Sequence, residues 1–524
     1  AKTVAPPVVV PPKPKPKPAN DKGKDKDEDK NKVSDKRGLK DKGLSEEDKR
    51  IADSLRKAEM HERLVQLGYF GLRLATGLKN FNLQFNQTSG ARLPGFMGES
   101  TIVGLDPTAS WMPGLGFVTG ANTSIVDRLQ QEDLLSRDSL MNTPHLNNVS
   151  RILNLQATLE PIRDLKIDLT ATQNRSSSEQ YYYKYSSASG MVEGPLSYTM
   201  TGSFTSTAWS FRTAFRNKDE LYQQFLDARL GVAERLAGMN PDGYSDQYLL
   251  DSMTGQYFPA GYSPNQQTVL LTAFLATYLG GDARSQGFSP FLSLPLPNWN
   301  VTYSGLSKIE YFKKWFTNVN ISHRYSSTYS IGNLYTDAAI AGVIDGYDYG
   351  LETVTNASGD FIAPVSMEGV TISEQFNPLV KVAVNMVNSL QFNLSIQKNR
   401  TLQLSFANNQ LTETTRDGLT FGGGYRFKDV EVHIKTAEKT HHLKSDVILQ
   451  LNLTYNNNLT LIRKINQGTA QKSSGSQVWM AEISGEYQVM QDPDLTVKAF
   501  FQTNINRPHV SNAYPNSTTK GGIT

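Results

Sequence analysis

The sequence predicts an all-β protein: an antiparallel transmembrane β-barrel segment with helical loop insertions and a disordered N-terminal linker. Three observations predict it. Apolar and polar residues alternate with period two over many stretches, as in strands whose two faces meet different media. The connections between these stretches are short on one side and long on the other, as when one barrel rim is trimmed and the other elaborated. No window of the 524 residues approaches the ~20 apolar residues that a membrane helix needs.

Residues 1–44 hold "PPKPKPKPAN" and a run of interleaved Lys and Asp with almost nothing apolar to bury, so a disordered Lys/Pro-rich linker is expected. Acidic residues among the lysines and the absence of aromatic stacking platforms argue against nucleic acid as its partner, as does the formal charge of +3 for the whole chain. Ser45 to Asp48 reads as a cap feeding an acidic first turn, and Ile51, Leu55 and Ala58 continue at helical spacing, which predicts a helix over 45–66. From there to Thr524 the chain reads as the barrel portion, 67–524, with long insertions at 90–148 and 217–297.

The first strand alternates Phe81, Leu83 and Phe85 with Asn82, Gln84 and Asn86. The clearest hairpin sets Leu153, Leu155, Ala157 and Leu159 and then Leu165, Ile167, Leu169 and Ala171 around "EPIRD". Within the second insertion, "DELYQQFLDARLGVAERLAG" and "NQQTVLLTAFLATYLGG" have helical patterns. About a dozen strands of roughly ten residues, the length a tilted membrane strand requires, are expected in all. "VNS", "YNNN" and "MQDPD" are read as further short turns. If "EPIRD" faces the periplasm, so does the linker, and the long insertions lie outside or fold inward as a constriction.

Such alternation also suits a soluble antiparallel sheet with one face on a core. The membrane reading is preferred because the strand faces carry too little continuous apolar content to fill a sandwich, and because aromatic residues stand near strand ends, where girdles meet lipid headgroups. The expected girdle is Trp299, Tyr303, Trp315, Tyr325, Tyr425 and Tyr455. The polar faces give the lumen-lining candidates Asn154, Gln156, Thr158, Asn300, Thr302, Ser304, Gln391, Asn393 and Ser395.

Chemistry is sparse. There is no cysteine, hence no disulfide, thiolate metal site or Cys nucleophile. His441 and His442 are adjacent and read as loop residues; "FGGGYRF" lacks the Lys-Ser/Thr of a phosphate loop; "NPDGYSDQYLLD" lacks the ligand spacing of a calcium loop. No catalytic, cofactor or metal site is assigned, and no enzyme is expected.

Taken in order, "GARLPGFMG", "PGLGFVTG", "LSLPLPNWNVTYSGLSK", "EQFNPLVKV", "NNQLTETTRDGLTFGGGYRFKDV", "NNNLTLIRKINQ" and "NRPHVSNAYPNSTT" resemble the carboxyl-terminal portion of the SprA/Sov family, outer-membrane translocons of the type IX secretion system in the Bacteroidetes. The resemblance runs from about Leu67 to the last residue. It implies part of a very large barrel in the outer membrane of a Gram-negative bacterium, passing folded cargo proteins with a C-terminal secretion signal to the surface, and linked in some members to gliding motility. It also implies a PorV-like shuttle protein, a plug protein, an inner-membrane proton-driven motor and the remaining translocon strands as partners. An outer-membrane porin or nutrient transporter is the alternative.

Overall fold

The computed structural model describes residues 76–99, 101, 103–119, 125–240, 247–251, 255–340, 348–435, 440–491 and 494–524. The expected linker over 1–44 and helix over 45–66 lie outside these residues.

In chain order the strands are β1 (Leu78–Arg92), β2 (His145–Ile162), β3 (Leu165–Ser186), β4 (Met191–Thr207), β5 (Tyr248–Leu250), β6 (Tyr257–Pro259), β7 (Asn298–Tyr303) and β8 (Phe316–Tyr335). They continue as β9 (Ser366–Met367), β10 (Gly369–Met386), β11 (Leu390–Ser405), β12 (Gln410–Lys435), β13 (Thr440–Lys464), β14 (Thr469–Gln491), β15 (Asp494–Pro508) and β16 (Asn516–Ile523). One antiparallel sheet runs β1-β2-β3-β4-β8-β10-β11-β12-β13-β14-β15-β16, with β7 and β9 beside this path and β5–β6 a separate hairpin. The expected all-β antiparallel architecture is therefore present. The path has two edges, β1 and β16, which are not paired with each other.

One end of the sheet carries tight turns: Arg163–Asp164, with Asp164 at φ +65°, and Val387–Ser389, with Ser389 at φ +69°. The other carries two of the long insertions, 93–144 and 336–365. We call these the turn end and the insert end.

Eleven of the twelve strands on the path are 15 to 26 residues long, not roughly ten. In the two longest, β12 and β13, the ladder continues on both sides of Phe427↔Val447 and Leu419↔Tyr455, to Lys435↔Thr440 and Gln410↔Lys464. The expected "YNNN" turn is absent, since Asn456, Asn457 and Asn458 pair with Gly418, Asp417 and Arg416 inside β13. Arg416 donates from Nε to Asn458 Oδ1 at 2.9 Å, a cross-strand contact that outweighs the local turn tendency of asparagine.

The insertion expected at 217–297 begins at 208 and is not a rim loop. β3 and β8 are bridged by β4 over their insert-end halves and by β7 nearer the turn end. Thus β4 and β7 are two pieces of one strand, and the chain leaves the sheet at mid-height after Thr207 and returns at Asn298. The break is small: Ala208 donates to the Ser327 carbonyl, Leu296 to the Thr207 carbonyl and Ser327 to Asn298 Oδ1.

Register carries one apolar face across the sheet. Leu165, Tyr303, Ile321, Val382, Leu394, Phe421, Leu453 and Ala481 form one row of directly opposed residues. The neighbouring row on the opposite face reads Asn320, Ala383, Asn393, Gly422, Asn452, Glu482, Gln502 and Lys520. A register shift near Pro378, which has no N–H to give a ladder, leaves the faces intact: Phe376 to Val380 stands opposite Lys398 to Ile396.

The buried core lies on the apolar face toward the insert end. Short helical segments α1 (Leu115–Val118) and α2 (Val126–Gln131) belong to the first insertion, α3 (Lys218–Met239) and α4 (Gln267–Tyr278) to the second, and α5 (Glu310–Lys313) to the β7–β8 connection. Asn217 caps α3 by accepting from the Asp219 and Glu220 amides, with both acidic side chains in the first turn. Its Leu221, Phe225, Val232 and Leu236 recur at helical spacing and are buried. In α4 nearly every residue is buried, so that helix lies inside the insert's own core. Together they cover Phe204, Tyr329, Ile331, Val370, Ile372, Leu402, Leu404 and Leu411 of the sheet, each large side chain contributing about 1.5–3 kcal/mol of burial. All eight are on the apolar face. This insertion therefore does not fold inward over the polar face, because only the apolar side offers its helices something to bury against.

Candidate functional site

Two surfaces and the layer between them carry the chemistry. The first is a band on the apolar face from the turn end to mid-height. On β13 it comprises Val447, Leu449, Leu451, Leu453 and Tyr455, and its neighbours are Phe421, Leu419 and Tyr425 on β12 and Tyr487, Ile483 and Trp479 on β14. Although apolar, it is not covered: Leu453, Ile483, Phe501 and Trp479 are exposed. From Val447 to Tyr455 the strand rises roughly 26 Å at ~3.3 Å per residue. Tilted by about 40°, that gives a band roughly 20 Å tall, close to the ~25 Å of a membrane barrel.

The second surface is the polar face. Asn154, Gln156 and Thr158 pair with Thr172, Thr170 and Asp168 of β3, which pairs in turn with Asn300 and Thr302 through Asp168 and Lys166. Gln391, Asn393 and Ser395 stand opposite Gly424, Gly422 and Thr420. These eight expected lumen residues thus share one face. Ser304 does not belong with them: it follows β7, and its amide donates to the Asp164 carbonyl at the turn end. Gly422 leaves room for the Asn393 amide, which a Cβ there would meet at 2.4 Å and have to displace.

The expected aromatic girdle is partly corrected. Tyr303, Tyr425 and Tyr455 are on the apolar band, Tyr425 against Phe427 at 4.6 Å and Tyr455 against Trp479 at 4.3 Å. Trp315 precedes β8 and is an exposed connection residue. Tyr325 is completely buried beneath the second insertion, so it faces no solvent of any kind. Trp299, stacked on it at 4.4 Å, is half-covered by Trp209 and Phe211 of the same insertion.

Above the band the apolar face carries polar and charged side chains over several rows, beginning with the Lys398–Asp417 pair at 3.2 Å. Glu374 and Arg400, opposite each other on β10 and β11, form a buried ion pair at 2.8 Å. Tyr325 donates from its hydroxyl to Glu374 Oε1 at 3.1 Å and accepts from the Ser210 amide at 2.9 Å. The Arg400 guanidinium also donates to the Thr213 and Ser210 hydroxyls and to the Thr213 carbonyl. Farther along, Lys218 donates to the Thr415 hydroxyl. The segment 208–218 is thereby strapped across β8, β10, β11 and β12. The sequence reading missed this layer, although a signal existed: Glu374 and Arg400 occupy apolar positions of the alternations Ile372/Phe376 and Ile396/Leu402.

Two buried ionisable groups stand outside the band. His145 stacks on Tyr181 at 4.5 Å, neither ring nitrogen has a partner among the described residues, and burial pushes its pKa down to about 4. Glu352, in the third insertion (336–365), accepts from the Tyr262 hydroxyl and the Gly350 amide, while its Oε1 has no partner among the described residues. Burial raises its pKa above the ordinary carboxylate range. A folded-state pKa above the unfolded one stabilises below the unfolded value, and that stability is lost as pH rises through the folded one. Protease resistance of this region should therefore fall as pH rises above the ordinary carboxylate range, with Glu352→Gln removing most of the slope. An unchanged slope in Glu352→Gln would assign it elsewhere, Asp360 being the next group raised by burial.

No cluster of three or more potential metal-ligating side chains occurs among the described residues. His441 and His442 are strand residues of β13, opposite Ile434 and His433, rather than loop residues. Part of "NPDGYSDQYLLD", residues 241–246, lies outside the described residues. In comparisons with known proteins, no family model and no curated protein matches this chain.

Proposed function

We propose that the sheet is one section of the wall of a large outer-membrane barrel that conducts proteins, a translocon of the SprA/Sov kind serving type IX secretion. One observation carries the barrel reading: an uncovered apolar band of membrane height backed by a continuous polar face, with both edge strands left open. Lipid does not tolerate unpaired strand edges, so β1 and β16 must pair with something. In a barrel larger than this path they pair with further strands. The polar face, rich in Asn, Gln, Ser, Thr and Gly, offers neutral hydrogen-bonding groups that hold no one cargo tightly. Passage of folded cargo, and a PorV-like shuttle, a plug and a proton-driven motor as partners, rest on the family resemblance.

A porin or nutrient transporter is the competing reading, and it requires β1 to close on β16. Because the chain has no cysteine, pairs such as Gln84→Cys with Thr518→Cys, scanned along both edges, report closure without background. The translocon reading expects no β1–β16 disulfide and edge cross-links to other strand-rich polypeptide. It also expects proteins with the C-terminal signal to accumulate in the periplasm when the chain is depleted. An efficient β1–β16 disulfide would establish the smaller, self-closed barrel instead.

A further inference from the structure

The strap 208–218 crosses the apolar face along the upper border of the band, and its side chains divide into three directions. Ser210, Thr213 and Ala214 are buried toward the sheet. Phe211 and Phe215, four residues apart, lie along the row at the band's upper border: Phe211 packs on Trp299 and Tyr325 at 5.7 Å and Phe215 on Phe376 at 5.3 Å, and the row continues on β11 and β12 as the Lys398–Asp417 ion pair, with the Lys398 ammonium 5.5 Å from the Phe215 ring centre. Phe215 nevertheless remains 62% exposed. Arg212 and Arg216 follow each phenylalanine in "FRTAFRN" and are exposed. The Arg212 stem lies over Gly280 at the end of α4, and its guanidinium reaches the Gly280 carbonyl at 3.4 Å.

Aromatic residues with one face on an apolar surface, flanked by arginines, suit the boundary where acyl chains meet phosphates. The second insertion rises from mid-height on that same side, so its underside is continuous with the band. On the barrel reading, on which this inference rests, we propose that the strap is seated in the membrane surface. Phe211 and Phe215 reach the upper acyl chains, and Arg212 and Arg216 pair with the phosphates of anionic lipid. The insert thus stands on the bilayer beside the wall instead of projecting freely from a rim.

The chain's lack of cysteine allows a direct test in lipid nanodiscs, with the chain reconstituted together with the polypeptide that pairs its edge strands. An environment-sensitive fluorophore is attached to Phe215→Cys, to Ile483→Cys in the band and to the exposed Leu140→Cys of the first insertion. Lipids brominated at shallow or deep positions then quench it. The proposal expects Phe215→Cys to be quenched more by shallow than by deep bromines, Ile483→Cys by deep ones and Leu140→Cys by neither. It further expects Arg212→Gln/Arg216→Gln to abolish the gain in protease resistance of 208–297 seen when anionic phospholipid replaces zwitterionic. Quenching at Ile483→Cys with none at Phe215→Cys overturns this inference and leaves the barrel standing. No quenching at Ile483→Cys overturns the barrel itself. An anionic-lipid gain unchanged in the double variant overturns the arginine–phosphate contact.

Discussion

Replacing Arg400 by methionine releases the second insertion from the sheet. The substitution leaves Glu374 charged and buried with only the Tyr325 hydroxyl beside it, and it orphans the Thr213 and Ser210 groups that Arg400 holds. Breaking a buried pair in this way costs about 3–5 kcal/mol. The strand ladders on either side do not depend on it, so the loss falls on the insert: residues 208–297 become cleavable while the strands stay protected. Glu374→Met/Arg400→Met should recover most of the loss, since removing both charges relieves the desolvation penalty that the pair offsets. Equal damage in the single and double variants would mean that packing, not the stranded charge, holds the strap down.

The second large effect separates the two faces. Ile483 and Leu451 are directly opposed at the centre of the band, and Asn452 lies one residue away on the other face. On the proposed barrel reading, Ile483→Arg would place a cation near the bilayer midplane at a cost of about 2–4 kcal/mol, whereas Asn452→Arg on the opposite, polar face would cost little. Outer-membrane yield and heat-modifiable mobility of the two variants are the readout. In a soluble sheet Ile483, already exposed, would accept arginine without loss, so equal yields refute the membrane reading.

Much of this arrangement is legible in the alternation itself. Period two assigns Leu153, Leu155, Leu451 and Leu453 to one face and Asn154, Gln156, Asn452 and Thr454 to the other before any register is known, and the Arg163–Asp164 and Val387–Ser389 turns follow from local composition. What alternation cannot show is what covers a face. Tyr325 and Tyr455 look alike in sequence, yet one is buried by a segment more than a hundred residues away and the other lies half-exposed in the band against Trp479. The division of one strand into β4 and β7 was hidden for the same reason, since each piece reads as an ordinary strand and only their shared neighbours reveal the join. Glu374 and Arg400 were visible as charges out of phase, but their meaning depended on each other and on Ser210 and Thr213.

That join has a consequence of another kind. On β8, Thr328 faces the last residue of β4 and Tyr325 faces Trp299 of β7, leaving only Ser326 and Ser327 between the two pieces. The ninety-residue excursion therefore behaves as a guest cassette: its gain or exchange would change neither the number of strands in the sheet nor their stagger.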